Sequence, residues 1–166
     1  MSKILFLVPK SQEDFSFIES CQIKKDYISN INDSVRTGDR SDINDTSTLI
    51  ITDEGIRIGI FIPNVYKVTG LSNGRPIIYV LKEYRILSSF VICEMVRYLF
   101  EVKKVDRLII QIYSNNIQMI NCMNNFEIPM RGEIKEIRNL DGEFVSILFF
   151  DISVEGYFRI RSNFIE

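Results

Sequence analysis

The sequence predicts a mixed α+β fold, a mostly antiparallel central sheet with helices on both faces. Three observations lead there. β-Branched runs recur between short turns from Thr48 to Leu81, as in an antiparallel meander. Residues Tyr79 to Asn116 read as strand, turn, apolar helix and strand, the order of a βαβ crossover. Asp141-Gly142 between two strand-like runs signals a closing hairpin. The 166 residues and 19.4 kDa fit a single domain, 1–166, large enough for a core without staples.

Taken in order, Lys3 to Val8 is a short apolar run ended by Pro9 and reads as an opening strand. Ser11 then stands as an N-cap before Glu13 and Asp14, acidic residues suited to a helix dipole. Phe15, Ile18, Cys21 or Gln22, Ile28 and Ile31 follow at roughly helical spacing, giving one or two helices between Gln12 and Val35. From Asn32 to Ser47 the residues turn to Asp, Ser, Thr, Asn and Gly, which marks a surface loop. Thr48–Thr52 and Arg57–Pro63 flank Asp53-Glu54-Gly55 as a hairpin, and Leu71–Pro76 reads as a turn-rich patch leading into a strand at Ile77–Leu81.

Ser89 to Lys103 carries Phe90, Val91, Ile92, Met95, Val96, Leu99, Phe100 and Val102, too wide an apolar face for a surface helix. Arg107–Tyr113 reads as a buried strand, and Ser114-Asn115-Asn116 as a polar stop that caps a short helix, Ile117–Asn125. Glu133–Asn139 and Glu143–Phe150 flank Leu140-Asp141-Gly142, and Ile160 and Phe164 lie in a tail of no clear type.

Composition narrows the chemistry. Apolar residues are 46% and charged residues 25%, the range of a folded globular chain rather than a disordered one. A net charge of -2 gives no basic field for nucleic acid, and no run reaches the roughly 18 apolar residues that span a membrane. The opening apolar run is too short for a signal-peptide core, so a cytoplasmic location is expected. Cys21, Cys93 and Cys122 have no paired metal spacing and read as reduced, buried thiols, with no metal site. There is no histidine, which excludes Ser-His and Cys-His pairs and a histidine base. Carboxylates, Tyr, Cys, Lys, hydroxyls, backbone groups or a cofactor must carry any reaction.

The βαβ unit holds the candidate site. Its first turn delivers backbone N–H groups to a helix N-terminus, where an anion such as a diphosphate is well placed. The order of elements resembles that of the GNAT family of N-acetyltransferases, and the local likeness runs from Val80 to Asp151. Lys103-Lys-Val-Asp-Arg-Leu-Ile-Ile-Gln-Ile-Tyr-Ser-Asn-Asn116 is similar to that family's fifth strand and the asparagine after it. Phe126-Glu-Ile128, Arg131-Gly132-Glu133 and Leu140-Asp141-Gly142-Glu143 resemble its passage from the fourth helix into the final hairpin. Within the family the likeness points to the branch that acetylates ribosomal-protein N-termini and related small amines.

The resemblance implies an acyl-CoA-dependent N-acyltransferase with acetyl-CoA as co-substrate and a small-molecule or peptide amine as acceptor. Nucleic acid and membrane are not expected as partners; a homodimer through the C-terminal hairpin is compatible. In that family two parallel strands splay, pantetheine pairs with strand backbone in the gap, and the diphosphate sits before the central helix. The positions that match are Tyr79, Val80, Leu81, Arg85, Ile86, Leu87, Ser88, Ser89 and Asn116 for the cofactor. Tyr113 and Glu83 are the candidate proton carriers.

Several motif residues differ. Where the family has Arg/Gln-x-x-Gly-x-Gly/Ala, this chain has Glu83-Tyr84-Arg85-Ile86-Leu87-Ser88-Ser89, with no glycine to let backbone approach phosphate. Arg75-Pro76-Ile77 has no carboxylate where a strand glutamate often acts as base, and Met123 stands near the place of a helix tyrosine. Each candidate also has a structural reading: Tyr113 as cross-strand packing, Asn116 and Ser88-Ser89 as helix caps. Hence a second reading stands beside the first, a GNAT-fold binding or regulatory module that has lost catalysis.

Overall fold

A computed structural model describes residues 3–23, 48–138 and 142–162. The expected loop at Asn32–Ser47, the helical stretch from Lys24 to Val35, the turn residues Leu140-Asp141 and Phe164 lie outside them. The described chain forms β1 (Ile4–Leu7), α1 (Gln12–Ile23), β2 (Thr48–Thr52), β3 (Arg57–Ile62), β4 (Val65–Val68), β5 (Leu71–Gly74) and β6 (Ile77–Val80). A 3₁₀ helix (Lys82–Leu87), α2 (Ser88–Arg97), a π-helical turn (Tyr98–Val102) and β7 (Arg107–Tyr113) follow. The chain closes with α3 (Ile117–Asn125), β8 (Met130–Arg138), β9 (Phe144–Ser153) and α4 (Val154–Ser162).

The mixed, mostly antiparallel fold is as expected, but the strands form two sheets. The chain also falls into two compact units, Met1–Asn64 with Pro76–Glu94 and Val65–Arg75 with Met95–Glu166. In the first unit the strand order is β1-β2-β3-β6, antiparallel throughout. Every residue of β2 is buried, and so are the last five of β3, which is why both read as continuous apolar runs rather than alternating ones. On one face Leu49, Ile51, Ile60 and Tyr79 pack with Ile18 and Cys21 of α1. Phe6 and Phe61 meet at 4.9 Å between ring centroids.

Helix α1 is anchored at its start. The Ser11 Oγ accepts from the Asp14 N–H at 3.1 Å, and Asp14 Oδ2 accepts from the N–H groups of Lys10 (2.9 Å) and Ser11 (3.0 Å), a reciprocal cap. The second oxygen of Asp14 accepts from Arg57 Nε (3.0 Å) and Nη2 (2.8 Å), tying helix to strand β3. Those three partnerships, Lys10 first, then Ser11 and Arg57, hold the Asp14 carboxyl far below its ordinary value of 3.8.

In the second unit the order is β4-β5-β7-β9-β8, with β5 and β7 parallel and the other pairs antiparallel. Leu71–Gly74, read from sequence as a turn, is therefore a strand. The turn sits one step earlier, at Thr69-Gly70, both with positive φ (50° and 86°), as a two-residue hairpin demands. Asp106 holds β5 in place: its carboxylate accepts from the Ser72 N–H (2.7 Å) and its own N–H donates to the Ser72 carbonyl (2.7 Å). Along β7 Leu108, Ile110 and Ile112 are buried and alternate with half-buried residues, so the strand has one dry face. The sequence tail contains α4, whose Tyr157 and Ile160 are buried. No described helix is long and apolar enough to cross a membrane.

Candidate functional site

The candidate residues fall into two groups, one in each compact unit. In the first unit, β6 ends the strand order of its sheet among the described residues, which leave its outer backbone edge unused in that sheet. Leu81 N–H donates to the Ile58 carbonyl at 2.8 Å, so Leu81 faces β3. Antiparallel alternation then turns the backbone groups of Val80 to the outer edge. The Tyr79 side chain belongs to the packed core with Ile18 and Ile60, and its ring is a packing group.

Gly59, unremarked in the sequence, governs how close β6 can come. A Cβ built on Gly59 would lie 2.0 Å from the Tyr79 carbonyl oxygen, far inside contact distance. A glycine inside the apolar run Arg57–Ile62 was the available signal, since a strand glycine marks close backbone approach.

After β6 the chain enters the expected anion turn, and here the structure differs from the expected loop. Lys82–Leu87 is a 3₁₀ helix, in which N–H groups from Tyr84 onward bond carbonyls three residues back. Its ends are the Tyr84 N–H on the Leu81 carbonyl (2.9 Å) and the Ser88 N–H on the Arg85 carbonyl. Ser88 has helical dihedrals (φ -57°, ψ -39°), so it lies inside a continuous helical run and does not cap α2 as expected from sequence. Bulky Ile and Leu tolerate these right-handed dihedrals without cost, whereas a phosphate-wrapping loop needs the freedom of glycine. Glu83 and Ser89 are exposed, Ile86 is 86% exposed, and Arg85, Leu87 and Ser88 are half-buried.

In the second unit Tyr113 is half-buried at the end of β7, opposite Ile147 of β9. The strand end is pinned by the Ser114 N–H to the Ser146 carbonyl (2.9 Å) and the Ser146 N–H to the Ser114 Oγ (3.0 Å). Asn116 caps α3: its Oδ1 accepts from the Met119 N–H at 3.2 Å. That accounts for its place after a strand.

A second polar cluster in this unit was not foreseen. Glu101, in the π-helical turn, accepts a hydrogen bond from the Tyr157 hydroxyl and pairs with Arg161 (3.1 Å) and Arg97 (3.4 Å). The Tyr157 ring stacks on Phe100 at 5.1 Å. Burial and the Glu101 carboxylate raise the Tyr157 pKa, while the hydroxyl and both arginines hold Glu101 down. The turn that carries Glu101 has i, i+5 bonding (Lys103 N–H to Tyr98 carbonyl, 3.1 Å), a widening invisible in apolar periodicity.

No family model matches this chain, and no curated protein does. Solved structures do. A spermidine N-acetyltransferase from Vibrio cholerae, solved with CoA and spermine, superposes with a TM-score of 0.75 at 12% identity, covering 94% of this chain and 98% of that one. Mutant forms of the spermidine/spermine N-acetyltransferase of the same organism give 0.73 at 13% identity, over 96% and 98%. An acetyltransferase of the GNAT family from Bacillus anthracis gives 0.65 at 16% identity, over 93% and 99%. The structural neighbours are thus GNAT-family acetyltransferases, and this chain has their fold.

Proposed function

We propose that the chain, as one domain over 1–166, is an N-acyltransferase that moves an acetyl group from acetyl-CoA to a primary amine. The observation that carries this is agreement with acetyltransferase structures over more than nine-tenths of both chains. One feature of the first unit favours it: a terminal strand, β6, whose outer edge offers the backbone of Val80 to a pantetheine amide. The chemistry suits a chain without histidine. The amine nitrogen attacks the thioester carbonyl carbon, the C–S bond breaks, the amine gives up a proton and the thiolate gains one. Positioning supplies most of the acceleration, with Tyr113 and Glu83 as the proton carriers to test.

The acceptor is an amine of a small molecule or peptide. The neighbours named for spermidine and spermine put polyamines beside the N-terminal α-amines indicated by the sequence resemblance. A cytoplasmic location, where acetyl-CoA is at hand, belongs to the same reading.

The second reading, a fold that has kept its shape and lost its activity, is favoured by one observation: the anion turn is a closed 3₁₀ helix. Ligand-dependent melting separates the two, because a ligand that binds only the folded state raises the melting temperature by mass action. Acetyl-CoA at millimolar concentration is expected to raise it by several degrees; no shift would remove the enzyme reading.

A further inference from the structure

We infer that the nucleotide half of the donor contributes little here, so that acyl-pantetheine thioesters serve nearly as well as acyl-CoA. This rests on the acyltransferase reading and deepens it. CoA differs from pantetheine by its phosphorylated adenosine diphosphate, and a protein selects that part through donors aimed at the diphosphate.

The turn after β6 is poorly supplied with such donors. Its N–H groups from Tyr84 to Ser88 are spent on carbonyls three residues back, beginning with Leu81 and ending with Arg85. The positive end of the helical run is already met by a negative side chain, Glu83 in the first turn, which would also repel a diphosphate. No glycine between Lys82 and Ser89 eases the backbone open, and the exposed side chain of Ile86 has nothing to donate. What the turn still presents are the N–H groups of Lys82 and Glu83 at the start of the run, the second carrying the Glu83 carboxylate on its own residue, and the side chains of Lys82 and Arg85, the first exposed and the second half-buried. A charge-assisted bond from a preorganised N–H is worth roughly tenfold or more in affinity, an exposed ion pair roughly fivefold at best. The outer edge of β6, which would pair with pantetheine, is unaffected by any of this.

Calorimetric titration of the full chain with CoA, with pantetheine and with adenosine 3′,5′-bisphosphate tests it. The expected result is CoA and pantetheine dissociation constants within tenfold of each other, with no binding of the bisphosphate at millimolar concentration. Arg85→Glu should weaken CoA by less than fivefold and leave pantetheine unchanged. A CoA preference above tenfold, or tight binding of the bisphosphate, overturns the inference while leaving the acyltransferase reading intact. Failure of both CoA and pantetheine to bind overturns both.

Discussion

Asp14 and Gly59 each do work that their residue type alone does not announce. Asp14 closes the cap of α1 and grips Arg57 of β3, and its pKa is held low by hydrogen bonds to Lys10, Ser11 and Arg57. A carboxyl depressed in the folded state stabilises it fully above the unfolded pKa and loses that contribution as protons bind. Stability is therefore expected to decline as pH falls below about 4, and Asp14→Asn should flatten that slope while lowering stability at neutral pH. Urea melts of both proteins between pH 2 and 7 provide the check. Gly59→Ala would set a methyl against the Tyr79 carbonyl, which backbone cannot yield cheaply. Overpacking of this kind costs about 1–3 kcal/mol, and the 2.0 Å approach places it at the top of that range. The expected signs are a lower melting temperature and weakened donor binding; an alanine at the open, positive-φ turn position Gly55 should show only the first.

Among elements, α3 and the β2–β3 and β8–β9 pairs show where sequence reading worked. Asn116 followed by an amphipathic nonapeptide gave the helix and its cap together, because both signals are local. Asn116→Ala should cost about 1 kcal/mol and Asn116→Asp far less, as read by thermal melting. The strand β5 was missed for a physical reason: Ser72-Asn73-Gly74 has turn chemistry, yet Asp106, some thirty residues on, binds Ser72 and makes the segment a strand. The true turn residue, Thr69 at φ 50°, is not a preferred one. The expected cap at Ser88-Ser89 failed likewise, because the helical run starts six residues earlier, at Lys82. At the other end of α2, Tyr157→Phe removes the hydroxyl that Glu101 accepts, for a loss of about 0.5–1.5 kcal/mol. Glu101 keeps Arg97 and Arg161, so the effect should be modest and should not touch donor binding.

For the whole molecule, the fold class was legible because periodicity and turn residues mark most strands and helices one at a time. The division into two sheets was not, since which strands become neighbours is decided by contacts far apart in sequence. The candidate site, β6 and the turn behind it, was drawn from element order, and its local geometry was not legible: a 3₁₀ closure cannot be read from a missing glycine alone. The candidate proton carriers Tyr113 and Glu83 stand on opposite footings, one half-buried on a strand end, the other exposed on a turn. If Tyr113 protonates the leaving thiolate, Tyr113→Phe lowers kcat by about 10²-fold with KM for the donor nearly unchanged. Glu83→Gln, if Glu83 chiefly meets the helix dipole, changes kcat by less than threefold and costs a few tenths of a kcal/mol in stability.

The most direct measurement is thiol release from acetyl-CoA by the purified chain across a panel of primary amines, including spermidine, spermine and short peptides with free N-termini. An acyltransferase releases thiol only with its acceptor present, one acetylated amine appearing for each thiol. Amine-dependent turnover with at least one of these acceptors is the predicted result. A folded chain that binds acetyl-CoA yet releases no thiol with any amine would contradict the activity and leave a binding module in its place.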